Sequence, residues 1–190
     1  MLVTVLLLGF VLVATVTDLA QGKIYNWTTY SGMLTALLLN VVGDVLLSAG
    51  AVTGDQLKPW GHIGAWHSLG GLVACGFLVL FCFVMLKGVG GGDVKLMAMV
   101  GAFLGLNQGL TAALWTFVLA ACLALIVLIW RVGPWRLSCL LFRRLVCLLR
   151  IFGWAPPNEE DLKLLRAPLH LAPSAVGAVV IVRFSLVTLM

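Results

Sequence analysis

Two aspartates stand at the edges of apolar stretches, where an ionisable group is costly unless it is paired or used. Asp18 ends the first apolar stretch, and Asp93 closes a glycine-rich turn between two long ones. Two carboxyl groups on one membrane face repel a second negative charge, so one holds a proton while the other is ionised. Such a pair can activate water and polarise a carbonyl group, which is the chemistry of an intramembrane aspartyl protease.

Each of these aspartates also has an ordinary explanation. Asp93 could cap a helix that begins at Val94, and Asp18 could be an interfacial helix end. Asp44 is a third membrane carboxylate, four residues after Asn40 on the same helix face. It could mark an ion pathway or a polar contact between helices, and we favour the contact. The common membrane face predicted for the other two aspartates makes catalysis the better interpretation of that pair.

The composition excludes an ordinary soluble domain. Hydrophobic residues make up 62% of the chain and charged residues 10%, with a mean hydropathy of +1.13, whereas about a quarter of the residues in soluble domains are charged. One membrane crossing needs about 20 apolar residues, so 190 residues leave room for about six helices and no separate soluble domain. We therefore expect residues 1–190 to form a single all-α, polytopic membrane domain.

Six apolar runs are predicted to be helices, because open strands cannot span lipid. They comprise residues 2–17, 28–47, 63–86, 94–106, 110–130 and 168–189. The fourth run follows the glycine-rich turn and has only 13 residues. It would span about 20 Å, which is short for a hydrocarbon core of about 30 Å. Residues 131–166 mix basic and apolar side chains, a composition typical of an amphipathic segment in the headgroup layer.

Lysine and arginine are unequally divided between the two faces of this predicted bundle. If six helices alternate in direction, ten of the 12 basic residues lie on one face, and only Lys58 and Arg183 lie elsewhere. The positive-inside rule identifies the basic face as cytoplasmic. Asp18 and Asp93 then share the cytoplasmic face, while both chain ends lie on the other side.

The cysteines and histidines do not predict a metal site. None of the five cysteines forms a C-x-x-C pair, and such pairs are the usual zinc or redox signal. The three histidines also lack the spacing of metal ligands. We expect neither a metal centre nor a disulfide framework.

Three segments, in order along the chain, resemble the type IV prepilin peptidases. Residues 90–105, GGGDVKLMAMVGAFLG, fit the G-x-G-D core of that family. Residues 23–26, KIYN, follow Asp18 as an R/K-I-P-N segment follows the family's first aspartate, with Tyr25 where proline is usual. Residues 167–177, APLHLAPSAVG, are similar to the family's P-Y-A-P-A-x-x-x-G segment, departing from it before and after the central Ala-Pro.

The resemblance implies an aspartic endopeptidase of the bacterial cytoplasmic membrane, with Asp18 and Asp93 as its catalytic residues. It would cut the basic leader from type IV prepilins or pseudopilins at the cytoplasmic edge of their apolar segment. Pilus assembly machinery is a possible further partner, whereas a metal, nucleotide, organic cofactor or nucleic acid is not implied. The short loop after the first run resembles the Tad/Flp-like branch, which lacks the N-methyltransferase insert. Which aspartate begins as the base is not assigned, because coupled groups share their titration.

Four further residues are predicted to bind the substrate or to shape the loop around it. Gly90 and Gly92 let the backbone bend tightly and admit another chain nearby. Pro173 has no backbone donor and can interrupt the last helix, which would expose backbone groups to an extended leader; a tolerated kink is the equal alternative. Lys95 could contact substrate, position its own loop or meet lipid headgroups.

Two other functions remain open at this stage. A small multi-helix transporter could use the membrane aspartates as proton or cation sites, although the inverted repeats typical of transporters are not visible. A noncatalytic scaffold could bind prepilins without cutting them. Replacing Asp18 or Asp93 by Asn separates these functions, because only a peptidase would lose leader removal.

Overall fold

The computed structural model describes residues 2–85, 90–133, 135, 138–139 and 171–184. All regular structure within these ranges is helical, which confirms the predicted all-α class. The helices are α1 (Leu2–Gln21), α2 (Asn26–Ser48), α3 (Gly54–Leu57), α4 (Ala65–Met85), α5 (Gly91–Val132) and α6 (Leu171–Arg183). A short 3-10 helix, Lys58–Trp60, follows α3. Most of the predicted amphipathic segment, 131–166, lies outside the described residues.

Four of the described helices, α1, α2, α4 and α5, are long and apolar enough to cross a membrane. Their outward faces carry large exposed apolar side chains, such as Val16, Phe77 and Val118, and acyl chains would cover such faces in a bilayer. Helix α6 is also apolar and has 13 described residues. The predicted polytopic membrane class is therefore confirmed, while the count of six crossings stays a prediction.

Helix α5 is a hairpin of two arms. Gly105 has φ 78° and ψ −176°, which is outside the helical region. A Cβ atom built on Gly109 would lie 3.0 Å from the Cα of Gly101, although eight residues of straight helix span about 12 Å. The chain therefore folds back at Gly105, and the two arms correspond to the predicted runs 94–106 and 110–130. The reversal occurs earlier than the predicted break because Gly105 takes a left-handed φ that other residues rarely adopt.

The first arm of α5 is the central helix of the fold. It is buried on nearly every side, and Leu96, Met99 and Phe103 are at most 1% exposed. Its backbone meets α4 directly, because a Cβ atom on Gly71 would lie 2.2 Å from the carbonyl oxygen of Gly101. Glycine at these two positions lets the helix backbones touch, as small residues commonly do between membrane helices.

Helices α1 and α6 lie side by side and run in opposite directions. Near one end of the pair, Arg183 donates from Nε to Thr4 Oγ1 at 2.6 Å. Near the other end, Thr15 Oγ1 donates to the carbonyl oxygen of Ala172 at 3.1 Å. The two bonds fix the register of α6 against the helix that carries Asp18.

The chain divides into two compact units, Met1–Leu119 with His170–Met190, and Ala120–Leu169. The described part of the second unit consists of the end of α5, Trp135, Ser138 and Cys139. All contacts discussed below lie within the first unit.

Candidate active site

Asp18 lies in the last turn of α1 and faces the interior of the bundle. It continues a buried stripe that also contains Val11, Ala14 and Thr15, spaced as one face of a helix. The residue is 8% exposed. Its Oδ2 atom is buried and has no hydrogen-bond partner among the described residues. Leaving a buried acceptor unsatisfied costs about 1–3 kcal/mol, so the hydrogen bonds of the described residues give no structural reason for an acid here.

Asp93 is the third residue of α5 and is also 8% exposed. Its Oδ2 atom accepts a hydrogen bond from the backbone N–H of Gly90 at 3.0 Å, and its own N–H donates to the Gly90 carbonyl at 3.1 Å. This reciprocal pair closes the first turn in the manner of a capping box. Asp93 is therefore not the N-cap of a helix starting at Val94, since α5 already begins at Gly91.

Helix α1 and the first arm of α5 run antiparallel. The rings of Phe10 and Phe103 are 6.2 Å apart at their centroids. Beyond the end of α1, the loop residue Ile24 packs on the start of α5, where its Cβ lies 3.1 Å from a Cβ built on Gly92. The end of α1 and the start of α5 thus lie at the same end of the bundle, which we call the site end.

Both aspartates lie at the site end and at similar depth. Asp18 is eight residues beyond Phe10, and Asp93 is ten residues before Phe103. These separations correspond to about 12 Å and about 15 Å of helix, a difference in depth of about 3 Å. The expected placement of the two acids at one end is therefore found, while their joint action stays a prediction.

The two glycines predicted to shape the loop lie in close contact with it. A Cβ atom on Gly90 would lie 3.2 Å from Asp93 Oδ2, and one on Gly92 would lie 3.1 Å from the Cβ of Ile24. Both distances are shorter than ordinary van der Waals contact. A side chain at Gly90 would press on the carboxylate, and one at Gly92 would press on the loop after α1.

Lys95 contacts α2. Its Nζ donates to Asn26 Oδ1 at 2.7 Å and lies 5.2 Å from the centroid of the Tyr30 ring. Sequence reasoning did not single out these two partners. The available signal was the four-residue spacing of Asn26 and Tyr30, which places both on one face at the start of α2.

Pro173 is the third residue of α6 as described. In the first turn of a helix the missing N–H of proline is tolerated. The carbonyl oxygen of the preceding residue, Ala172, accepts the hydrogen bond from Thr15 Oγ1. Thr15 lies one turn before Asp18 on α1. The start of α6 therefore lies towards the site end, and substrate contact by Pro173 stays a prediction.

Tyr25 adopts the backbone conformation that proline favours. Its φ of −72° and ψ of 133° fall in the polyproline II region, and its hydroxyl group donates to Gln21 Oε1. The loop between α1 and α2 thus has the shape that proline would impose, although proline is absent.

Asp44 lies at the opposite end of α2 from Asn26, and we call this end of the bundle the far end. Asp44 Oδ2 accepts the N–H of Ala65, the first residue of α4, at 2.7 Å. Asp44 Oδ1 lies 3.1 Å from His62 Nε2. Asn40 Oδ1 accepts the N–H of Ile63 at 3.0 Å. The favoured polar-contact interpretation of Asp44 agrees with these bonds, which anchor the loop before α4.

A shallow apolar groove of about 410 Å³ lies between α1 and α2. It is lined by Val5, Leu6, Gly9, Phe10, Val13, Trp27, Thr28 and Ser31. Gly9 is nine residues before Asp18, a rotation that places the two on opposite sides of α1. We therefore do not assign this groove to the aspartate site.

Comparison with known proteins identifies the family. A model of the type IV leader peptidase family matches residues 5–125, well over half of the chain. The matched stretch contains Asp18 and Asp93 and ends before Pro173. Searches of curated proteins and of solved structures gave no match. The chain belongs to the type IV leader peptidase family and, with its long apolar helices, is a multi-pass membrane peptidase.

Proposed function

We propose that the protein is an aspartic endopeptidase that removes the leader peptide of type IV prepilins or pseudopilins. Asp18 and Asp93 are the catalytic pair in this proposal. One observation carries it: two buried carboxyl groups lie at similar depth at the site end, and Asp18 Oδ2 has no partner among the described residues. Family membership supports peptide hydrolysis and a prepilin-like substrate.

Hydrolysis uses the two carboxyl groups in complementary states. The ionised carboxylate takes a proton from a water molecule as the water oxygen attacks the scissile carbonyl carbon. The protonated partner donates a hydrogen bond to the carbonyl oxygen, where negative charge develops. Collapse of the tetrahedral intermediate breaks the C–N bond, and the carboxyl group that took the proton from water gives it to the leaving amine. The water oxygen ends in the new C-terminal carboxyl group of the released leader.

The positive-inside rule supports a cytoplasmic site. Lys23 follows the end of α1, and Lys95 lies in the second turn of α5, so both belong to the site end. The sequence predicts ten of the 12 basic residues on this face and only Lys58 and Arg183 on the other. Basic residues near helix ends favour the cytoplasmic side of a membrane. Cleavage there would occur where a basic leader meets the apolar segment of the substrate.

The test is to express the protein together with candidate prepilins and to measure the mass of each product's N-terminus. Asp18→Asn and Asp93→Asn should each lower the cleavage rate by about 10²–10⁴-fold, because each removes an acid–base group. Asp44→Asn is the matched control at the far end and should retain cleavage.

Membrane levels of all three variants are measured in parallel, so that loss of cleavage is not confused with loss of protein. Full leader removal by either Asp18→Asn or Asp93→Asn would defeat the proposed pair. Intact binding of the prepilin with no cleavage by the unaltered protein would favour a scaffold.

A further inference from the structure

Lys95 leaves α5 on the side opposite to Asp93. Residues two apart on a helix differ by about 200° in direction, and the two environments agree with this. Asp93 is buried, whereas Lys95 is half-buried and reaches outward to Asn26 on α2. Lys95 therefore meets α2 on the side of α5 away from the Asp93 side chain.

The Lys95 ammonium group has two partners on α2. Asn26 Oδ1 accepts a hydrogen bond at 2.7 Å, and the face of the Tyr30 ring lies 5.2 Å from Nζ to the centroid. The two partners are one helical turn apart on the same face of α2. An amide oxygen and an aromatic face are both attractive partners for an ammonium group.

A second contact holds the preceding turn of α5. Gly92 packs closely on Ile24, whose Cβ would lie 3.1 Å from a Cβ built on Gly92, and Ile24 belongs to the loop that leaves the Asp18 helix. The first turns of α5 are thus attached both to this loop and to the start of α2. The two attachments set how far α5 is rotated about its axis, and hence where the Asp93 carboxylate points.

We propose that Lys95, Asn26 and Tyr30 form a positioning clamp that aims Asp93 at its catalytic partner. The clamp rests on the proposed peptidase function and names a further role within it. Lys95 is a positioning residue here, and it does not touch the substrate. A misplacement of about 1 Å can lower a catalytic rate by about 10²-fold, so a contact on the far side of the helix can control the reaction.

The test measures kcat and KM on a peptide with a short basic leader followed by an apolar segment of about 20 residues. Lys95→Met and Asn26→Ala should each lower kcat by about 10- to 10²-fold and leave KM within about twofold, because binding and ground-state contacts remain. The double variant should be no slower than the slower single variant, since both changes break one contact.

Two conservative variants provide the matched controls. Asn26→Asp keeps an acceptor oxygen for the ammonium group and should restore most of the kcat lost in Asn26→Ala. Tyr30→Phe keeps the ring face and should be close to the unaltered protein, whereas Tyr30→Leu should lose activity. A purely structural defect would not separate these pairs.

Three outcomes would overturn the clamp. An increase of KM in Lys95→Met at unchanged kcat would make Lys95 a substrate contact. Multiplicative losses in the double variant would show that Lys95 and Asn26 act independently. Full activity of Lys95→Met, together with loss of cleavage in Asp18→Asn, would contradict the clamp but not the proposed function. Cleavage that survives Asp18→Asn would instead remove the proposed function.

Discussion

Aspartates at the two ends of the helix bundle differ in their hydrogen bonding. At the far end, both carboxylate oxygens of Asp44 have a partner, the Ala65 N–H and the His62 ring. At the site end, Asp18 is more deeply placed, and its Oδ2 has no partner in the described part of the chain. One acid holds a loop to a helix, whereas the other has a buried oxygen atom that no described residue bonds.

The contrast distinguishes Asp44, whose two carboxylate oxygens both have partners, from Asp18, and it supports the proposed role of Asp18. A hydrogen bond does not by itself exclude a part in the reaction, since Asp93 accepts one from the Gly90 N–H. A buried acid without a partner has no such structural explanation, and ionisable groups within membranes are functional candidates.

The contrast predicts opposite effects on stability when each acid is removed. Asp44→Ala should lower the free energy of unfolding by about 1.5–3 kcal/mol, because it removes a charged acceptor from Ala65 and His62. Asp18→Ala should change it by less than about 1 kcal/mol or raise it, because it removes an unpartnered buried acid. Denaturant unfolding in detergent, followed by circular dichroism, measures both. An equal loss of unfolding free energy in the two variants would show that Asp44 and Asp18 do not differ in their contribution to stability.

The stability of the far end should also fall with a substitution that alters no charged residue. A Cβ atom on Gly43 would lie 2.2 Å from His62 Cδ2, so Gly43→Ala should displace the His62 ring from Asp44. We expect a loss of about 1–2 kcal/mol, at the lower part of the range for overpacking because a side chain can move aside. Gly70→Ala is the control, since a Cβ there meets nothing within 4 Å.

Gly70→Ala should be neutral or stabilising, because alanine favours the helix interior by about 0.5–1 kcal/mol over glycine. Thermal unfolding of the two variants, with leader cleavage measured beside it, gives the answer. Cleavage should persist in both, since neither glycine lies at the site end. Equal stability of Gly43→Ala and Gly70→Ala would show that His62 does not anchor this end.

Much of the fold could be predicted because local hydropathy determines which segments form membrane helices. The apolar runs correspond to α1, α2, α4 and the arms of α5, and each acid was placed near the correct helix end. The chain reverses at Gly105, just before the gap between the predicted runs 94–106 and 110–130. The spacing of Gly101, Gly105 and Gly109 was the better signal, since small residues four apart bring helix backbones together.

The polar contacts around the site could not be predicted in the same way. Lys95 and Asn26 are 69 residues apart in sequence, and neither residue type indicates which distant residue it contacts. Thr15 likewise looks like any threonine in an apolar helix until Ala172 is found beside it. Such pairs depend on how helices are rotated against each other, and a single sequence carries little information about rotation.

The smallest predicted effect concerns the loop at the site end. Tyr25 already has a φ of −72°, within the range that proline fixes, so Tyr25→Pro should fit without strain. We expect a gain of about 0.4–1 kcal/mol in the free energy of unfolding, because proline restricts the unfolded chain.

Tyr25→Ala is the control. It loses the same bond to Gln21 as Tyr25→Pro but does not restrict the backbone, so it should give no gain. Denaturant unfolding compares the two, and cleavage by Tyr25→Pro should stay close to that of the unaltered protein. A large loss of cleavage in Tyr25→Pro alone would mean that the site end needs the tyrosine itself and would assign the Tyr25 side chain a part in the reaction.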